Sequence, residues 1–409
     1  MKKRILFGLL IPLFTFLFTI PALGNHEEDS DYYGKGKEKP GAVFIMTNNA
    51  YGNVILKYHR SDDGKIRYQD FYPTGGLGAG VGKTVPIDPL GSQNSLIMSP
   101  DGKYLFAVNA GNDTITAFEV KKDYLKFLDI VPSGGRFPVS LTFHKKILYV
   151  LNAGANDGSD SGTPSNITGF KLKGHRLIPL NDSTREIVEV EQNPMDETSD
   201  FPNILGTPAQ IQFSPRGDLL VVTVKDGVNN VNNAIWVYPI NKENGYLPED
   251  PPVIYPTEGP VPFGFTFDAY GRLIVTDAGA STVTYYKVKA DSVEMIGDPV
   301  ETGQAATCWI IGTRPFAHYV YAANTGSGNI SGYKVRHDGT LSEIGLFQVK
   351  DGALNIDMAM SRDGKYLYTQ NGGLGTVSIF RVKRNGLLKS IDEVEVTKPV
   401  SGFQGIVAW

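Results

Sequence analysis

This 409-residue chain predicts an all-β fold, a seven-bladed β-propeller of four-stranded antiparallel blades. Three observations carry the prediction. A segment recurs along the chain. Each copy alternates apolar and polar residues around tight turns. The last residues have the pattern of an opening strand with nothing after it. The recurring text is "SLIMSPDGKYLFAVNAGNDTITAFEV" at 95–120, "QIQFSPRGDLLVVTVKDG" at 210–227 and "DMAMSRDGKYLYTQNGGLGTVSIFRV" at 357–382. Looser copies are "GFTFDAYGRLIVTDAGASTVTYYKV" at 264–288 and "CWIIGTRPFAHYVYAANTGSGNISGYKV" at 308–335. Short runs rich in Val, Ile, Tyr and Phe, alternating with period two between Asp-Gly or Asn-Gly turns, read as antiparallel strands. A unit of about 40–50 residues built this way is a propeller blade.

In chain order, "MKKR" and the apolar run Ile5–Leu23, ending in Ala22-Leu23-Gly24, read as a secretory signal over 1–24. The product is then secreted, periplasmic or otherwise in the cell envelope, with no membrane span left after cleavage. Residues 25–40, "NHEEDSDYYGKGKEKP", hold almost no aliphatic side chain and read as a disordered tether. Residues 41–409 form the propeller. Six full units begin near residues 94, 138, 207, 262, 306 and 354, and an incomplete unit at 42–76 lacks its opening strand. The C-terminal "FQGIVAW" at 403–409 supplies that strand, so the tail completes the first blade and closes the ring.

Charge and cysteine content narrow the function. The chain carries −4 overall; without the leader, 36 basic residues face 43 acidic ones. That balance argues against a nucleic-acid partner. The single cysteine, Cys308, excludes an intrachain disulfide, so stability rests on a large core. A monomer is expected.

Turns between first and second strands, and between third and fourth, share one end of the ring and are short: "SPDGK", "NKENGY", "RHDGT". Second-to-third loops and the links between blades share the other end and are long: 75–93, 154–165, 191–206 and 226–233. Long loops gathered on one face point to function there. The first of them contains "GGLGAGVGKT" at 75–84, which superficially resembles a phosphate-binding loop. That fingerprint needs glycine where Leu77 stands, and a helix where Pro86 and Pro89 would break one. The stretch reads instead as a flexible flap at the loop-rich mouth.

The blade text "FSPRGDLLVVTVKDG", with "GPVPFGFTFDAYGRLIVTDAG", "GQAATCWIIGTR" and "NTGSGNISGYKV", resembles the lactonase family of seven-bladed propellers over nearly all of residues 42–409. That family includes gluconolactonases acting on phosphorylated sugar lactones, and carboxymuconate-lactonizing enzymes. The resemblance implies a central pocket served by a histidine, arginines and a glutamate. This sequence departs from the pattern. His26 is in the tether, and His59, His144, His175, His318 and His337 fall at the short-turn end, so every imidazole is expected to stay clear of the central opening. Acids outnumber bases at the mouth, which discourages polyanionic substrates.

Candidate site residues follow from position. Asn48, Asn109, Asn152, Asp277, Asn324 and Asn371 recur where the second strand ends; they suit either ligand binding or local turn bonding. Asp277 puts a carboxylate where the others carry an amide. Ser95, Ser140, Gln210, Gly264, Cys308 and Asp357 align on the opening strands, and Asp357 is the one charge among them. Asp277 or Asp357, buried with a raised pKa, would activate water, and Arg136 would polarise a carbonyl. Asn109, Asn152, Asn324, Asn371, Gln210, Glu258 and Lys83 are the ligand-binding set. No cofactor or metal is required; "ANDGSDSG" at 155–162 offers oxygen ligands for calcium without the spacing of a calcium loop. Two functions stay open: a hydrolase acting on a small-molecule lactone or ester at the mouth, and a non-catalytic platform binding a protein, glycan or small molecule through the same loops.

Overall fold

The computed structural model describes residues 41–80, 87–154, 163–187, 206–225, 233–241, 244–314 and 317–409. The expected leader and tether lie outside them, as do Lys83 and the candidate calcium stretch.

Seven antiparallel sheets stand in sequence order. Blade 1 places Ile406–Ala408 innermost, followed outward by Gly41–Met46, Val54–Arg60 and Ile66–Pro73. Val43 pairs with Ala408 and Ile45 with Ile406, and Ala42 and Trp409 exchange backbone hydrogen bonds of 3.0 and 2.8 Å. The tail therefore completes the sheet begun at residue 41, as its sequence predicts. Blades 2 to 7 open on Leu96–Met98, Pro138–His144, Pro208–Phe213, Pro262–Phe267, Thr307–Gly312 and Asn355–Met360. Each of these innermost strands lies beside the next, and Ile406–Ala408 lies beside both Asn355–Met360 and Leu96–Met98, so the circle is closed. Blades 3 and 5 depart from four strands by splitting the outermost: Arg176–Pro179 with Arg185–Glu186, and Val293–Met295 with Val300–Glu301.

Burial follows position in the blade. Second strands such as Ile147–Asn152, Leu219–Val224 and Tyr366–Asn371 are buried throughout, because neighbouring blades cover both faces. The outermost strand Ile66–Pro73 is mostly exposed. Second-strand tyrosines also latch one blade to the next. Tyr149, Tyr321 and Tyr368 donate their hydroxyls to the carbonyls of Gly245, Gly386 and Gly64, each in the outer turn of the following blade, at 2.8–2.9 Å.

The short turns repeat one design. Ser99 Oγ donates to Asp101 at 2.7 Å and accepts from the amides of Lys103 and Tyr104, while Gly102 takes a φ of +73°. Ser361 and Asp363 repeat the hydroxyl–carboxylate bond. Blade 3 lacks this five-residue turn. There Lys145 and Lys146 join the strands directly, at φ of +46° and +71°.

Candidate functional site

The innermost strands share a local irregularity. Their pairing with the second strand slips between Pro138 and Ser140, Pro208 and Gln210, Pro262 and Phe265, Thr307 and Trp309, and Asn355 and Met358. The aligned candidates Ser140, Gln210, Gly264, Cys308 and Asp357 sit at these slips. A bulge re-aims side chains, and here it frees them to bond across to neighbouring strands or to the segment that closes the axis.

That segment is Ile87–Asn94, the end of the link from blade 1 to blade 2. It crosses the axis at the loop-rich end and is bonded to blade after blade. Lys225 Nζ donates to the Gly91 carbonyl at 2.6 Å. Trp309 Nε1 and Gln404 Nε2 both donate to the Ser92 carbonyl, at 2.9 and 2.8 Å. Ser92 Oγ donates to the Val139 carbonyl at 2.8 Å. The Gln93 side chain pairs with both backbone groups of Ile310, in the space left by Gly264, where a Cβ would lie 2.4 Å from Gln93 Oε1. Gln210 repeats the device on Phe265, at 3.0 and 2.7 Å.

The flexible-flap reading of 75–84 is corrected by its described part. The amides of Gly78 and Gly80 donate to the Asn49 and Asn48 carbonyls at 2.8 Å, and Ala79 N donates to Asn48 Oδ1. A Cβ on Gly78 would lie 2.1 Å from the Asn48 carbonyl carbon. This glycine serves close approach, not mobility.

Beneath the strap, toward the short-turn end, the axis holds a cavity of about 380 Å³. Asn94 and Gln212 line its inner part, with Thr142 and Thr266 on the wall; His144, Arg314 and Trp409 lie toward its outer end. Gln210 Nε2 donates to Gln212 Oε1 at 2.9 Å, which fixes that amide. The His144 ring lies against Phe213, 5.6 Å between centroids. Its Nε2 is buried against Gly217 in the next blade's turn, with no hydrogen-bond partner among the described residues. Burial, and then the Lys145 charge, hold the imidazole below the ordinary histidine pKa. The expectation that every imidazole stays clear of the central opening is thus overturned. The histidines do fall at the short-turn end, but that is the hollow end.

The predicted site residues are dispersed. Asn109 donates to Thr114 and Thr116, Asn324 to Asn329 and Ser331, and Asn371 to Thr376 and Ser378. Asp277 accepts from Thr282 and Thr284 at 3.1 and 2.7 Å, the same offsets of five and seven residues. Asn152 donates to Asn166 across a longer loop. These side chains tie second strand to third inside their own blades, and none lines the cavity. Burial pushes Asp277 up to about 7. Arg136 is half exposed and paired with Asp113 at 2.9 Å. Glu258 is exposed in the link after blade 4.

Asp357 accepts from its neighbour's amide, Met358 N, at 2.9 Å, and burial, reinforced by Asp88, pushes it up to about 8. It lies near Asp88 of the strap, which in turn neighbours Lys225 and Cys308. Burial raises Asp88 and lowers Lys225, and the attraction between them opposes both shifts. Among the described residues no group of His, Cys, Asp and Glu forms a metal cluster. The sequence pointed His144 away from the opening and did not single out Arg314, Trp409, Asn94 or Gln212. The signal available for His144 was alignment: it stands where the other blades carry the capping Ser99, Ser214 and Ser361.

The family model "Lactonase, 7-bladed beta-propeller" matches residues 82–160 and 310–404. This chain is a seven-bladed propeller that resembles the lactonase family over those residues. Solved structures share the fold at low identity. A putative 6-phosphogluconolactonase from Bacteroides fragilis is 19% identical, with a TM-score of 0.67 over 93% of this chain and 99% of that one. Another from Bacteroides uniformis is 17% identical, with a TM-score of 0.68 over 91% and 100%. The periplasmic gluconolactonase of Pseudomonas aeruginosa is 17% identical, with a TM-score of 0.63 over 88% and 98%. None of the curated proteins matches the lactonase-like chain.

Proposed function

We propose that this propeller binds a small molecule in its axial cavity from the short-turn end and opens a lactone ring there. One observation carries the reading: the cavity of about 380 Å³ has His144 in its lining, with Arg314 lining it too. An imidazole held below its ordinary pKa is neutral at pH 7 and able to accept a proton. Through Nδ1, the nitrogen not packed on Gly217, His144 takes a proton from water, the hydroxide adds to the lactone carbonyl, and Arg314 steadies the oxyanion. The ring C–O bond then breaks, the imidazolium returns its proton to the leaving alkoxide, and a hydroxy acid remains. The match to the lactonase family model supports this class of reaction.

A panel of lactones tests it. We expect turnover that falls at least about a hundredfold in kcat/KM in His144→Gln. Turnover unchanged in that variant would contradict the role of His144. The strap favours a second reading, since it seals the end where the long loops lie and leaves them free to bind a partner without a pocket. Absence of turnover with every lactone, together with saturable binding lost on shortening the 154–165 loop, would support it. We place the protein outside the cytoplasm; finding a mature N-terminus at Asn25 would support that, and an intact Met1 in a cytosolic fraction would contradict it.

A further inference from the structure

The two ends of the ring carry opposite charge, and the hollow end is the positive one. The turns between first and second strands encircle the cavity opening and hold eight Lys or Arg against four Asp, while the outer turns of the same end hold eight bases and eight acids in the sequence. Each of those aspartates already has a cation: Asp101 with Lys103 and Asp218 with Arg216 at 3.2 Å, Asp268 with Arg272 at 2.8 Å, and Asp363 with Arg60 at 3.5 Å. Lys145, Lys146, Arg314 and Arg362 are exposed and have no ion pair among the described residues. The loops and links of the opposite end hold twelve acids against five bases in the sequence.

Two further features mark this face. Lys145 and Lys146 form a two-residue hairpin with both residues at positive φ, a turn that favours Asn-Gly. Placing two lysines there accepts backbone strain, which points to a use for the charges. Secondly, the propeller begins here: Gly41 is paired next to Trp409, and the Arg362 guanidinium lies 3.8 Å above the Trp409 ring.

We propose that this face docks on an anionic phospholipid bilayer, with Lys145, Lys146 and Arg362 against the headgroup phosphates. These cations belong to blades 3 and 7 and so stand on opposite sides of the opening. That spread suits a planar array of headgroups better than a linear polyanion, which needs a track. Polybasic surfaces of this size gain usefully from anionic lipid and lose that gain in salt. Docked so, the cavity opens onto the headgroup layer.

The test is partition of the full chain onto vesicles of phosphatidylcholine alone and of phosphatidylcholine with about three-tenths phosphatidylglycerol, at low and physiological salt. Lys2, Lys3 and Arg4 also favour anionic lipid, so the charged face is read from the change between the full chain and the triple variant below, not from the ratio alone. We expect at least a tenfold preference for the anionic vesicles, reduced by salt. The triple variant Lys145→Asn, Lys146→Gly, Arg362→Gln should lose most of that preference. Its Tm should hold or rise, because Asn-Gly relieves the turn. Brominated phosphatidylglycerol should quench an emission component that Trp409→Phe removes. Equal partition onto both vesicles, a preference that survives in the triple variant, or a stronger preference for heparin than for vesicles overturns the proposal. Lactone turnover is read separately, so failure of docking leaves the reading of the cavity standing, and the converse holds.

Discussion

At the scale of single residues, the same position can carry chemistry or hold a turn, and its neighbours decide which. Asn109, Asn324 and Asn371 spend their amides on residues five and seven places on. Asp277 makes the same two contacts with a carboxylate. Its folded pKa of about 7 lies above the ordinary carboxylate value, so the folded state holds the proton longer than the unfolded chain. That contribution to stability is complete below the ordinary value and is lost as pH rises toward 7. Asp277→Asn should therefore stabilise the protein by roughly 2–4 kcal/mol at pH 8 and by little at pH 4. Chemical denaturation at the two pH values checks this; equal effects at both would show that the carboxyl ionises freely in the folded state. The recurrence of Asn and Asp at strand ends was plain in the sequence. Their bonding partners were legible in part: Thr, Ser or Asn recurs five and seven places on in four blades, whereas Asn152 bonds Asn166, fourteen places on.

At the scale of elements, the strap Ile87–Asn94 explains why the loop-rich end is not the open one. Seven innermost strands enclose an axis too wide for their own side chains to fill, and the strap fills one end. Lys225 is the side chain most committed to it, fully buried against the Gly91 carbonyl and beside Asp88. Lys225→Met strips the Gly91 carbonyl of its charged donor and the half-buried Asp88 of a nearby positive charge, and should cost about 2–3 kcal/mol. Adding Asp88→Asn should recover part of that loss in the same melt. No recovery would mean that the lysine acts through the carbonyl bond alone. The sequence could not announce the strap. Its residues "IDPLGSQN" carry no strand or helix period, and its partners at 139, 209, 225, 309 and 404 are distant along the chain. The short turns were legible from Asp-Gly and Ser-Asp spacing. The cavity beside them was not, because its lining comes from seven separated strands whose inward faces meet only once the ring closes.

At the scale of the whole molecule, a ring of repeats with no disulfide depends on how its two ends join. Here Ile406–Ala408 pairs with Val43–Ile45, and Tyr368 of blade 7 bonds the Gly64 carbonyl of blade 1 at 2.8 Å. Removing residues 403–409 should abolish a single cooperative melt, since blade 1 then loses its innermost strand and blade 7 its neighbour. Tyr368→Phe, which removes one buried hydroxyl and orphans one carbonyl, should cost about 1–2 kcal/mol with the ring intact. A truncated chain melting as sharply as the full one would mean that closure contributes nothing. This closure was readable from an opening strand missing at one terminus and spare at the other. The polarity of the ring was only half readable: the acidic loops were visible, but not that the basic, histidine-bearing end is hollow.

That orientation is the central claim, and a structure with a bound ligand tests it most directly. Crystals soaked with a lactone or its hydroxy-acid product should show the molecule in the axial cavity, within reach of His144 and Arg314 and below Asn94. A ligand bound among the long loops on the far side of the strap, with the cavity empty, would contradict it.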